Sequence, residues 1–246
     1  MIERNVVVIR RNWKPFLSVF TEPFIWLFSI GIGVGALVDG FEVGGRALSY
    51  EEFVAPAMLA AVAANGAILD TTFNVFFKLK YDKTYEAMIA TPLSPLDIVR
   101  GDLTWALLRG SLYSTAFLVA MLAMGMISSP WAVLALPAVM LIGFAFGGVG
   151  FALTTLMRSW QDFEFVTLAM MPLMLFSATF FPITAYPGEV RWVVEVTPLY
   201  RGVVLIRELC TGMVTWGSAA SVAYLVAMGL VGLRVATKRV DRILMV

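Results

Sequence analysis

Between residues 131 and 157 the chain carries no charged side chain, and none occurs between 165 and 183. Runs of that length constrain the fold more than any other feature. A helix needs about 20 predominantly apolar residues to cross the roughly 30 Å hydrocarbon core of a bilayer. Four further runs resemble these two. They are 23–38, extended backwards by 16–20; 53–77, interrupted only by Asp70; 103–127, with Arg109 near its start; and 213–233. Backbone groups in lipid must be satisfied within the segment, which selects helices, and the alternating pattern of a membrane barrel is absent. The expectation is an all-α polytopic membrane protein with six transmembrane helices, forming one domain over 1–246.

Composition supports this class. Residues are 60% hydrophobic and only 14% charged, against about a quarter charged in a soluble domain. A net charge of +1 offers no basic field for nucleic acid. Cys210 is the single cysteine, so no internal disulfide forms, and there is no histidine to serve as a general base or metal ligand. Residues 1–15 show neither a long apolar core nor a cleavage site, so no cleaved signal peptide is expected.

Orientation follows from lysine and arginine, which concentrate on the cytoplasmic side. With the N-terminus inside, the cytoplasm receives Arg4, Arg10, Arg11, Lys14, Lys78, Lys80, Lys83, Arg100, Arg109, Arg158, Arg234, Lys238, Arg239 and Arg242. Only Arg46, Arg191, Arg201 and Arg207 remain outside, which accounts for all 18 basic residues. Both termini are therefore expected in the cytoplasm. Residues 1–18 mix basic and apolar positions, as an amphipathic helix lying in the interface does. Residues 184–212 carry Glu189, Arg191, Glu195, Arg201, Arg207 and Glu208 with Pro187 and Pro198. That segment is too charged to cross and too apolar for an ordinary loop, so short re-entrant extracellular helices are expected before the last span.

Four stretches in this order and spacing carry a family resemblance: TEPFIWLFSIGIGVG at 21–35, YDKTYEAMIATPLSPLDIVRGD at 81–102, GFAFGGVGFALTTLMR at 143–158, and PLMLFSATFFPITAYPGEVRWVVEVTPLYRGVVLIRELCTG at 172–212. The chain resembles the permease subunits of type-2 ABC exporters, nearest the nodulation-factor and daunorubicin-type branch. The resemblance implies a cytoplasmic coupling helix within 78–100 that seats on a separate ATPase subunit. It also implies two ATPase copies and a second permease, identical or paralogous. The setting implied is the bacterial plasma membrane. Lys14, Lys78, Lys80, Lys83 and Lys238 all lack a preceding glycine. The chain therefore has no phosphate-binding loop, and ATP and magnesium are expected on the partner, with no cofactor on this chain.

For ATPase coupling the resemblance singles out Thr84, Tyr85, Glu86, Met88, Ile89, Ala90, Thr91 and Pro92. A helix in a groove binds through apolar anchors such as Met88 and Ile89. Candidate pathway or gate residues are Phe24, Trp26, Phe28, Asn65, Asp70, Phe73, Asn74, Phe176, Phe180 and Phe181. Asp70 has a rival reading as a helix-end carboxylate paired with Lys78 or Arg109, since charges inside a membrane segment usually face a partner or water. Glu189, Arg191, Arg201, Arg207 and Glu208 are expected to pair among themselves. Gly31, Gly33 and Gly35, and Gly143, Gly147, Gly148 and Gly150, fit the small-residue spacing that lets helices approach closely.

The expected function is export of an amphipathic substrate, such as a drug, a glycolipid or a lipid-linked saccharide. A membrane-embedded enzyme would need a converging catalytic set, and Asp70 stands alone among the spans as a carboxylate. A secondary transporter would be expected to show inverted repeats with broken helices, and none is apparent.

Overall fold

The computed structural model describes residues 25–244, apart from 26, 36 and 39. The expected interfacial helix at 1–18 lies outside the described residues, as do 16–20 and residues 23, 24, 26 and 36 of the first apolar run. Its described part includes a π-helical turn, Ser29–Val34. Eight α-helices follow: α1 (Tyr50–Lys80), α2 (Thr84–Ile89), α3 (Pro95–Ala123), α4 (Ala135–Thr154), α5 (Asp162–Leu175), α6 (Gly188–Val196), α7 (Pro198–Thr211) and α8 (Trp216–Leu244). Among the described residues, four helices are long and apolar enough to cross a membrane: α1, α3, α8, and α4 together with the 3-10 turn Pro130–Leu134 that precedes it.

The helices start where capping chemistry places them. Ser49 and Glu52 form a reciprocal capping box at the start of α1, and Ser94 and Asp97 form another at the start of α3, with Pro95 in its first turn. The bundle has two distinct ends. At one, Lys78 pairs with Asp102 and Arg239 donates to Thr155; Lys80, Arg100 and Arg158 belong to this basic end by their place on α1, α3 and the α4–α5 connection. At the other, Ser128 donates to Glu52, Arg46 to the Thr211 carbonyl, and Arg207 to the Phe53 carbonyl.

Helix α4 is the packing centre, lying between α1 and α8. A Cβ at Gly150 would meet Thr71 Oγ1 at 2.3 Å, and one at Gly147 would meet Leu103 at 2.8 Å. On the other side, a Cβ at Gly232 would meet the Gly148 carbonyl carbon at 2.6 Å. Backbone meets backbone here, the approach that small residues permit. Buried hydroxyls return to carbonyls of their own helix, Thr71 to Ala67 and Thr154 to Gly150, and Thr154 also reaches the Thr71 carbonyl on α1. Among the described residues, no atom lies within 4 Å of a Cβ placed at Gly33.

Two expectations need correction. The chain is not purely α-helical: β1 (Phe41–Val43) and β2 (Arg46–Leu48) form an antiparallel hairpin. Gly44 and Gly45 both take positive φ, the backbone a two-residue hairpin turn demands. The fifth apolar run is not one span-length helix. α5 has 14 residues, about 21 Å at 1.5 Å per residue, and residues 176–182 continue without helix. Side chains take over its last carbonyls: Ser177 donates to Met174, Tyr186 to Leu175, and Arg207 to Ala178. Irregular backbone at membrane depth is tolerated where protein satisfies it in this way.

Candidate functional site

At the basic end, residues 81–94 connect α1 to α3 and carry the short helix α2. Lys83 adopts left-handed backbone at φ 49° to start α2. Six residues are too few to hold a helix in isolation, so packing must fix α2. Tyr85 supplies that packing. Its side chain is 0% exposed, among Val75 and Leu79 of α1, Ile98 and Val99 of α3, Phe151 of α4, and Ala236 and Val240 of α8. Its ring lies parallel to Phe151 at 6.4 Å. Its phenol donates to Asp102, whose second oxygen takes Lys78 at 2.8 Å.

The expected coupling residues therefore divide. Tyr85 turns inward, and Met88 and Ile89 are half-buried against the same apolar cluster. Glu86, Ala90, Thr91 and Pro92 are exposed, and Thr84 is half-buried. Tyr85 is thus no outward anchor. The helix needs its largest apolar side chains to attach itself to the bundle, which leaves small and polar groups facing out.

Asp70 resolves toward the pairing reading. Arg109 of α3 and Asn74 of α1 both donate to it, and each member of the ion pair is about four-fifths buried at its side chain. Lys78, the alternative partner, is taken by Asp102. Phe73 stacks on Phe163 at 4.3 Å, with Trp160 against its edge, so it belongs to an aromatic cluster joining α1 to α5. Asn65, Asn74 and Phe28 are exposed. Phe24 and Trp26 lie outside the described residues.

The three gate phenylalanines do not converge. Phe176 and Phe181 both approach Tyr186, at 6.2 and 5.0 Å between ring centroids, whereas Phe180 packs inward on the bundle core. The outer charges do not pair as expected either. Arg191 donates to the carbonyls of Tyr186 and Thr184. Arg207 is 8% exposed, donates to the carbonyls of Phe53 and Ala178, and lies 3.7 Å over the Phe53 ring. Glu208 accepts from Thr215 and Ser218 at the start of α8. Arg201 approaches the Tyr200 ring at 6.0 Å, and Glu189 is exposed in the first turn of α6. Guanidinium groups beside helix ends find fixed carbonyl acceptors without the rotamer cost of an exposed pair, which itself gains little.

Sequence reasoning missed Asp102, Phe151 and Ala178. Asp102 had a signal, as an acid directly beside the apolar run 103–127. Ala178, buried at φ 53°, had none, because alanine carries no preference for left-handed backbone. Among the described residues, no cluster of acidic or cysteine side chains is arranged to hold a metal ion.

Comparison with known proteins agrees with this architecture. The family model described as ABC-2 type transporter matches residues 1–211. Nodulation protein J of Rhizobium leguminosarum bv. trifolii is 33% identical over 216 residues, covering 84% of this chain and 81% of that protein. Nodulation protein J of Rhizobium meliloti is 30% identical over the same shares. That of Sinorhizobium fredii is 32% identical over 82% of this chain and 79% of its own length.

Proposed function

This chain belongs to the ABC-2 type transporter family, as the transport permease of an ABC exporter and a multi-pass protein of the bacterial inner membrane, and we propose that it moves an amphipathic cargo outward under the drive of a separate ATPase. The cargo class is a drug, glycolipid or lipid-linked saccharide. Membership implies partnership with an ABC ATPase subunit. In this reading two ATPase copies bind ATP and magnesium, and a second permease, identical or paralogous, completes the pathway. In this reading six spans leave both termini in the cytoplasm, and 184–212 dip into the outer leaflet.

The observation that carries the coupling reading is the division of faces on the 81–94 segment. Tyr85 holds α2 to the bundle, while Glu86, Ala90, Thr91 and Pro92 are exposed on the side that would meet another subunit. The cargo class rests on the sparse intramembrane charge, since Asp70 and Arg109 neutralise each other. A hydrophilic ion would require more polar sites at that depth.

Co-purification with the cognate ATPase tests the reading. The intact chain should recover the ATPase stoichiometrically, and Glu86→Arg with Thr91→Trp should lower that recovery at least tenfold without changing permease yield. A lone chain that transports without any ATPase would overturn it.

A further inference from the structure

Tyr85 is the one fully buried side chain of a short helix whose neighbours Glu86, Ala87 and Ala90 are exposed. The polar end of its ring completes a buried network. Its hydroxyl lies 2.5 Å from Asp102 Oδ2, while Lys78 Nζ lies 2.8 Å from Oδ1. Asp102 is 5% exposed. One carboxylate thus ties α2 to α3, on which it resides, and to α1, which supplies Lys78. The ring face completes the connection through Phe151 on α4 and through Ala236 and Val240 on α8.

Hydrogen bonds to an ionised group are short and stronger than neutral ones. A buried carboxylate that loses a partner bears the desolvation cost of the unmet acceptor. Movement of α2 relative to α1 and α3 is therefore resisted at this point, whereas the outward Glu86 pairs, among the described residues, only with exposed Lys83 at the start of its own helix. We propose that the Tyr85–Asp102 bond, oriented by Lys78, is the joint that converts displacement of α2 into concerted movement of α1 and α3. Tyr85 and Asp102 are positioning residues in this role, not ATPase contacts. The inference rests on the coupling reading above and adds to it the bond through which force passes.

The test follows ATP-driven movement at the far end of α3, so no cargo need be known. Leu122 is exposed there and the native Cys210 is buried, so Leu122→Cys introduces a single reactive thiol. The permease and its ATPase are reconstituted together. Maleimide labelling at position 122 is timed without nucleotide and with magnesium ATP plus vanadate. In the parent the labelling rate changes with nucleotide. Tyr85→Phe keeps the ring and removes the hydroxyl. It should leave ATPase recovery and basal hydrolysis within twofold of the parent, while cutting the nucleotide-dependent change at least fivefold.

Asp102→Asn retains an oxygen acceptor for the phenol and should keep most of the response, whereas Asp102→Leu should lose it. This pair carries the test should Tyr85→Phe fail to assemble. A full response in Tyr85→Phe or in Asp102→Leu overturns the joint. Loss of ATPase binding in Tyr85→Phe also overturns it, because Tyr85 would then be a docking residue. A parent that recovers no ATPase defeats the coupling reading itself, a result distinguishable from either.

Discussion

Asp70 and Arg109 show how a single pair settles the character of a span. Each charge alone would be costly among apolar neighbours, and here each is largely enclosed by α1 and α3 with Asn74 closing one side. Removing one partner strands the other, which typically costs about 3–5 kcal/mol, whereas replacing both by apolar groups of similar volume is often neutral. Asp70→Leu should therefore lower the unfolding midpoint in detergent sharply, and the double variant Asp70→Leu with Arg109→Met should restore most of it. If the double variant is as unstable as the single one while still folding, the pair has a role beyond mutual neutralisation. Arg207 is a different solution to a buried cation, with two carbonyls and an aromatic face instead of a carboxylate. The sequence shows both arginines equally plainly, but nothing local indicates that one has an acid across the helix pair and the other does not.

The helices differ in how far sequence reveals them. α1, α3, α4 and α8 are legible because long apolar runs with at most one charge dictate them. The hairpin was missed because three-residue strands leave no periodicity to detect, although Gly44–Gly45 is a recognisable turn signal. The early end of α5 was missed because its causes are distant: Tyr186 and Arg207 satisfy carbonyls 11 and 29 residues before them. Close packing was half legible. Gly148 stood out within α4, but its partners Gly229 and Gly232 on α8 are named only by contact. Gly232→Leu would drive a side chain into the α4 backbone, an overpacking cost of about 1–3 kcal/mol or more; the variant should melt earlier than Gly33→Leu, where no described atom lies within 4 Å of the added Cβ. The start of α5 gives a pH prediction. Asp162 accepts from the amides of Arg158 and Ser159, and these bonds hold its carboxyl below the usual carboxylate range. A depressed pKa contributes stability that is complete above the unfolded value near 4 and lost as pH falls through the folded value. Exchange protection of the Arg158 and Ser159 amides should fade in that acidic window, and Asp162→Asn should remove the pH dependence once intrinsic exchange is corrected.

At the scale of the whole molecule, the two ends differ in chemistry as a bilayer requires. α8 has 29 residues, about 43 Å at 1.5 Å per residue, close to the 40–45 Å of a bilayer with its headgroups. It begins at Trp216, 91% exposed, and ends among Lys238, Arg239 and Arg242. Trp131 and Trp192 are also exposed toward the Trp216 end, where amphipathic rings suit the headgroup level. If the basic end is cytoplasmic, a thiol at position 216 faces outward and one at 158 inward. The native Cys210 is buried, so Trp216→Cys and Arg158→Cys each supply one accessible thiol. A membrane-impermeant maleimide applied to intact spheroplasts should label Trp216→Cys within minutes and leave Arg158→Cys unlabelled until the membrane is opened. The reverse pattern would invert the topology and place the α2 segment on the side where no ATP is available, which would remove the ATPase from the mechanism. Labelling of both sites from outside would mean that an even number of crossings lies between residues 158 and 216, and the short α5 with its 176–182 continuation would be the first segment to reassign.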